Sequence, residues 1–397
     1  MKNRDLPLSG IKVVEFTHMV MGPSAGLILA DMGASVIKVE PLKGDNTRRL
    51  RGSGAGYFPM YNRNKRSICL DIKSDMGKEA ALRLTGDADV LIENFRPGAM
   101  DKLGLGYKVL SGINPRLIYC SLKGFLSGPY ENRTALDEVM QMMGGLAYMT
   151  GLPDRPLRAG TSVIDITGGM FGVIAILSAV EQRHRTGKGQ LVSSSLFETT
   201  AFLVGQHIAQ QGVLGAPPPP MSVRTSAWSI YNIFESADDE KIFVGVVSDS
   251  LWKRFCDEFG LVDFANDSSL DTNNQRVEQK DRILPVIRDM FAGMDKSEMM
   301  RRLENAGVPF APVNRPADLI DDPHMNASGA FVELTLNEEE TAGRKIKLPA
   351  IPVEMDHQKF GLHKDLPTRG SDSMAVLKEL GYSTEELQAM LDEGVAR

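Results

Sequence analysis

The sequence predicts an α/β protein: a doubly wound parallel sheet in the larger part, and a smaller α+β domain after it. Three observations carry this. Short β-branched runs alternate with helix-length stretches through the first half of the chain. A proline run, Ala216 to Pro220 (APPPP), interrupts the sequence. Beyond it, two strand-like runs follow each other directly and are succeeded by helices, a different order of elements.

In order, Ile11 to Phe16 (IKVVEF) is short, apolar and β-branched, and predicts a strand. MGPSAGLILADMGA predicts a helix, with Pro23 early and Gly33 near its end. SVIKVE returns as a strand, which makes a βαβ unit and implies a parallel pair. KSDMGKEAALRLTGDA reads as an amphipathic helix, and DVLIENF and NPRLIYCSLKGF contain further strands. Leu157 to Phe202 reads as strand or loop, long apolar helix, glycine-containing turn, strand and helix. After the prolines, YNIFES and DDEKIFVGVVS are strand-like around an acidic turn. DSLWKRFCDEFG, QRVEQKDRILPVIRDMFAGM and KSEMMRRLENAG are helical. The expected divisions are 1–215, 221–319 and 320–397.

The outline suggests a nucleotide-binding fold, but Gly22 to Gly26 reads GPSAG rather than GxGxxG. That excludes the close pyrophosphate approach of dinucleotide sites. The formal charge of −6 argues against nucleic-acid binding. Six histidines show no HExxH spacing, so no metal site is expected. The three cysteines, Cys69, Cys120 and Cys256, show no CxxC spacing and suit a reducing compartment. MKNRDLPLSG lacks a signal-peptide core, and the apolar stretch Met170 to Val180 is too short to cross a bilayer. A cytoplasmic protein with no membrane or nucleic-acid partner is expected.

Asp165 lies among Val163, Ile164 and Ile166, just before the long apolar helix. One reading makes Asp165 or Thr167 a helix N-cap. Another makes Asp165 a nucleophile, a carboxylate that attacks a thioester and is kept ionised by helix N–H groups. The two are compatible. The basic run NRNKRS, Asn62 to Ser67, reads as a solvated surface or as a positive rim for a phosphorylated ligand. RTGKGQ, Arg185 to Gln190, reads as a solvated helix-to-strand link, with ligand binding as its alternative.

Several segments in order carry a specific resemblance: LSGIKVVEFTHMVMGPSAGLILADMGASVIKVE, YNRNKRSICLDIKS, DVLIENFRPGAMDKLGLGY, NPRLIYCSLKGF, SVIDITGGMFGVIAILSAVEQRHRTGKGQ, DEKIFVGVV and GVPFAPVN. The chain resembles the class III CoA-transferase family, which includes carnitine CoA-transferase, formyl-CoA transferase and α-methylacyl-CoA racemase. The resemblance implies a Rossmann-like large domain formed by both ends of the chain, and an interlocked, ring-like homodimer. It implies coenzyme A as substrate and product, a carboxylic acid partner, and no further cofactor. Asp165 matches the family's catalytic aspartate, and Asp137 a second acidic position. CoA contacts carry onto Leu70, Asp71, Ile72 and Lys73, onto Asn94, Phe95 and Arg96, and onto Lys102. Arg133 or Thr134 would lie near the CoA phosphates. Pro41 stands where formyl-CoA transferase has an adenine-contacting arginine.

Departures narrow the reading. The racemase branch has a histidine where this chain has Leu136, and a glutamate where it has Ser248. Leucine can act as neither acid nor base, which disfavours racemisation. The formyl-CoA transferase branch has a glutamine at the position of Val20 and a glycine run where this chain reads LGAPPPPMSVRTSAWSIY. Transfer of CoA between dicarboxylic acids, succinate or a relative, is the expectation. Arg224 is a candidate for the distal carboxylate, and an exposed loop arginine is its alternative. An isomerase acting on 2-methylacyl-CoA and a non-catalytic CoA-binding subunit are the competing readings.

Overall fold

The structure, a computed structural model, describes residues 6–224, 226–338 and 340–397. Residues 1–5, the start of the stretch read against a signal peptide, lie outside the described residues. The chain forms two compact units: Met1–Ser222 with His324–Arg397, and Val223–Pro323. The prolines at 217–220 stand just ahead of the first crossing.

The first unit is built on a six-stranded sheet of β1 (Lys12–Phe16), β2 (Ser35–Glu40), β3 (Lys65–Cys69), β4 (Val90–Glu93), β5 (Ile118–Lys123) and β6 (Leu191–Ser195). All pairs are parallel and the spatial order is β3-β2-β1-β4-β5-β6. Side-chain alternation gives each face its own core. Val13, Val36, Val90, Ile92, Ile118 and Cys120 pack against the helices Met21–Asp31 and Val163–Thr186. On the other face, Val14, Phe16, Ile68, Leu70, Leu91 and Tyr119 meet the helix Asp75–Gly86 and C-terminal residues Val376, Leu377 and Met390. Strands covered on both faces read as near-continuous apolar runs, which is why they were legible.

The C-terminal segment closes the edge beside β3. Asp71 N donates to Val395 O at 2.8 Å, Leu70 bridges Ala396, and the Asn64 side-chain oxygen accepts from the N–H groups of His363 and Lys364. A hairpin-like pair, β10 (Phe331–Thr335) with β11 (Lys345–Pro349), packs Val332 and Leu334 onto Phe58 and Leu366.

Two expectations need correction. The apolar stretch 170–180 is part of a 24-residue helix, Val163–Thr186, which is long and apolar enough to span a bilayer by length and composition. Its place in the fold is the crossover ahead of β6, with Ile164, Val173, Ile176 and Ala179 buried against the sheet. The basic run is neither a solvated surface nor a phosphate rim. Arg63 and Lys65 are fully buried and ion-paired, Arg63 to Asp31 at 2.6 Å and Lys65 to Glu15 at 2.8 Å. Arg66 pairs with Glu379 at 2.8 Å. At 185–190 the helix ends on Gly187 in the left-handed region (φ 72°), and an exposed turn leads to β6.

The second unit has a three-stranded antiparallel sheet, β7 (Ile230–Glu235), β8 (Lys241–Val246) and β9 (Phe310–Pro312), in that order. Helices Asp249–Phe259, Lys280–Ala292 and Lys296–Ala306 cover it, around Phe234, Trp252, Phe255, Phe291 and Leu303. The stretch read as one helix from Gln275 is two, Asn273–Glu278 and Lys280–Ala292, divided at Gln279. Pro285 disfavours helical geometry in the turn before it, where its ring crowds the carbonyl of Asp281.

Candidate active site

The sheet order reverses between β1 and β4, the kind of switch point beyond whose carboxyl ends open α/β sheets place ligands. Both loops there are fixed. Asn94, after β4, accepts from His18 N at 3.0 Å and donates to His18 O at 2.8 Å. The His18 ring stacks on Phe95 with centroids 5.7 Å apart. Lys38 Nζ, buried beneath, donates to Thr17 O at 2.8 Å. Burial is the main reason the His18 imidazole titrates below its usual value, with Asp45 opposing and Lys38 assisting.

From this loop the chain enters helix Met21–Asp31, which lies directly against the start of the long helix. Glycines make the approach possible: a Cβ at Gly168 would come within 2.7 Å of Met21 Cε, and one at Gly169 within 2.7 Å of Met21 O. The first turn of the long helix is thereby set beside Val20. Val20, Tyr61 and Ile166 share one small apolar cluster.

Asp165 is in that first turn, as the third helical residue, and not ahead of the helix as its sequence context suggested. Neither it nor Thr167 is the N-cap. That position is Ser162, and the Thr167 hydroxyl donates back to Val163 O at 2.7 Å. The helix N–H groups expected to keep Asp165 ionised serve another carboxylate. Asp137 Oδ2 accepts from Ile164 N at 2.8 Å and from Asp165 N at 3.1 Å. Its Oδ1 accepts from Gln141 Nε2 at 2.6 Å, and Gln141 Oε1 accepts from Ala159 N at 2.8 Å. Gln141 and Asp137 are buried. They tie the helix Asp137–Met143 to the loop that enters the long helix.

Asp165 therefore has little to stabilise its charge. Burial first, then the neighbouring Asp137 carboxylate, push it up to about 7, against the opposing charge of Arg158. Tyr61 is pushed up to about 12 by burial and then by the charge of Asp165, with Tyr57 and Asp137 adding to it, and stays a neutral phenol. The site offers a carboxylate that shares its proton with solvent near neutral pH and is fully ionised only above it, on a helix turn with an apolar side.

The other predicted residues fall in distinct places. Leu70 and the partly buried Ile72 and Phe95 belong to one apolar cluster; Leu70 is buried, and its N–H donates to Glu40 O at 3.0 Å. Asp71 Oδ1 accepts from Lys73 N at 3.1 Å, while Lys73 and Arg96 are exposed cations shortly after β3 and β4, and Lys102 is exposed at the end of the short helix Ala99–Lys102. Arg133 is exposed over Tyr130, its guanidinium 4.8 Å from the ring centre. Arg224 belongs to the second unit and is partly buried. Leu136 is exposed just ahead of Asp137, and Ser248 caps the helix Asp249–Phe259 by accepting from Leu251 N at 3.2 Å. Four site residues had not been singled out: His18, Tyr61, Gln141 and Arg158. Only Gln141 carries a local signal, its i+4 spacing from Asp137.

Comparison with known proteins agrees with this architecture. Residues 8–373 match the model of CoA-transferase family III. The chain is 34% identical to a succinate–glutarate CoA-transferase of Agrobacterium fabrum, over 96% of this chain and 97% of that one. It is 31% identical to a formyl-CoA:oxalate CoA-transferase of Streptomyces avermitilis, over 98% and 99%. The crystal structure of a CaiB/BaiF family protein from Brucella suis superposes with a TM-score of 0.83 at 33% identity, covering 94% of this chain and 99% of that one. Sequence and fold agree along nearly the whole length, and the chain belongs to CoA-transferase family III as a CoA-transferase.

Proposed function

We propose that the protein moves CoA between dicarboxylic acids, with Asp165 as nucleophile. The Asp165 carboxylate attacks the donor thioester; the C–S bond breaks and a mixed anhydride forms as CoA thiolate leaves. The thiolate attacks the aspartyl carbonyl, forming an aspartyl-CoA thioester and releasing the donor acid as carboxylate. The acceptor carboxylate then attacks that thioester, CoA leaves again, and its return to the acceptor's acyl carbon gives the product and restores Asp165. The observation that carries this is the unpaired, partly buried Asp165 on a helix turn fixed by Asp137.

The dicarboxylate preference rests on the named activity of the Agrobacterium relative and on Arg224 as a partner for a distal carboxylate. CoA would lie along the carboxyl ends of β3 and β4, its phosphates near Lys73, Arg96, Lys102 and Arg133, with Asn94 and Phe95 at the switch point. Exposed Leu136 supports transfer over epimerisation, since it supplies no proton donor or acceptor. A homodimer is part of the proposal. Phe202, Ile208, Val213 and Leu214, on helices Leu196–Leu203 and Gly205–Leu214, are 62–83% exposed, a face suited to a second copy. If the subunits interlock, dilution to nanomolar concentration leaves the dimer intact. Three buried, unpaired cysteines suit a reducing cytoplasm.

The test is a screen of succinyl-, glutaryl-, acetyl- and formyl-CoA against mono- and dicarboxylic acids, read by mass spectrometry. Preferred transfer between succinate and another dicarboxylate is expected. A clear preference for monocarboxylates would overturn the substrate assignment.

A further inference from the structure

Arg158 stands in the loop that leads into the long helix, and its backbone is held on both sides. Leu157 N donates to Ala147 O at 3.1 Å, and Ala159 N to Gln141 Oε1 at 2.8 Å. Its guanidinium is much less engaged. Nε donates to the adjacent Ala159 O at 3.0 Å, Nη1 lies 3.5 Å from Glu138 Oε2, and Nη2 lies 3.8 Å from Asp137 Oδ1. Asp137 does not need this contact, because its two oxygens already accept three shorter hydrogen bonds. The side chain is 35% exposed. A fixed base thus carries a planar cation whose terminal N–H groups hold their carboxylates only loosely.

Resting on Asp165 as the nucleophile, the chemistry creates a need that this residue meets. Once Asp165 is a neutral thioester, the acceptor's reacting carboxylate must come to rest beside the charged Asp137. A bare anion placed there, in partly apolar surroundings, is repelled and poorly solvated. A guanidinium fork beside the pair offsets both penalties and orients the attacking oxygen. The charged and titratable groups facing it are Asp137, Glu138 and Asp165, with Tyr61 near Asp165.

We propose that Arg158 swings from Asp137 and Glu138 to receive the reacting carboxylate, binding the acceptor acid before attack and the donor acid as it departs. This differs from the distal role given to Arg224: Arg158 acts on the carboxylate that every substrate shares, monocarboxylates included.

The test separates the half-reactions, with succinyl-CoA as donor probe. In Arg158→Gln the CoA adduct on Asp165 still accumulates, more slowly, because the departing succinate uses the same guanidinium. Discharge of that adduct by glutarate requires about ten- to a hundredfold more acid for half-maximal rate. Discharge by acetate is weakened to a similar degree. Discharge by hydroxylamine, a neutral nucleophile with no carboxylate to bind, matches the wild type. Arg158→Lys, which keeps the charge and loses the fork, falls between. Unchanged glutarate and acetate dependence in Arg158→Gln overturns the proposal and leaves Asp165 standing. Equal slowing with hydroxylamine overturns it too, since it reveals a disturbed helix turn. Failure of the wild type to form an adduct overturns both this proposal and the nucleophile it rests on.

Discussion

Two groups of buried carboxylates in the same unit are treated in opposite ways. Around β1–β3, each of four buried acids meets a cation. Asp31 pairs with Arg63 at 2.6 Å, Glu15 with Lys65 at 2.8 Å, Glu40 with Arg48 at 2.7 Å and Asp45 with Lys38 at 3.0 Å. Burial works against ionisation of Glu40, and the hydrogen bonds and charge of Arg48 outweigh it, so its carboxyl sits below the usual range. Asp45 is likewise lowered, with Lys38 and Thr47 overcoming burial. Lys65 is itself pushed down to about 8 by burial, against the charge of Glu15. At the start of the long helix, Asp137 takes the helix N–H groups and Asp165 is left beside a like charge. The paired acids hold the frame; the acid without a close cation is the one proposed as nucleophile.

The largest effect expected from breaking this contrast is on catalysis. Asp165→Asn should lower transfer by on the order of 10⁴-fold or more in a steady-state assay, since the nucleophile is removed while the helix turn remains. On the other side, Lys65→Met leaves Glu15 with only Lys38 at 3.7 Å, and urea unfolding should show a loss of roughly 3–5 kcal/mol.

Asp165→Asn should also stabilise the fold above neutral pH. The carboxyl titrates near 7 in the folded state against 3.8 as its ordinary value, so the folded state binds the proton more tightly. Stability falls as pH rises from about 4 to about 7 and stays lower above that, by up to about 4 kcal/mol. The variant should therefore gain in Tm at pH 8 and change little at pH 4. A gain equal at both values would contradict the charge-based explanation.

Arg224→Lys should raise KM for a dicarboxylate acceptor about tenfold, with less change for a monocarboxylate, if a planar fork holds the distal group. The smallest effect is a shift of a pH profile. The acid limb of kcat/KM should fall below an apparent pKa near 7 in the wild type and move to lower pH in Asp137→Asn, because the raising charge has gone. In Arg158→Gln it should move the other way.

How far these features could be read in the sequence follows the range of the contacts. The β1–helix–β2 start, β4, β5 and the two strands after the prolines were legible because apolar periodicity is local. Asp165 stood out for its position among apolar residues at a helix start. That Asp137 would take the helix N–H groups depends on hydrogen bonds spanning 27 and 28 residues, and no local pattern encodes them. The basic run misled for the same reason. Arg63 and Lys65 find acids 32 and 50 residues away, on a helix and on a strand that only the folded sheet brings beside them. His18 and Arg158 sit in loops, where sequence alone gives no direction to a side chain.

The most direct measurement is to capture the aspartyl-CoA thioester. The protein would be incubated with succinyl-CoA and no acceptor, quenched with borohydride to reduce the aspartyl thioester to an alcohol, digested, and read by mass spectrometry. The expected result is conversion of Asp165 to homoserine in the peptide that begins the long helix, absent in Asp165→Asn. Transfer proceeding at full rate with no modification at Asp165, or with the modification on another carboxylate, would contradict it.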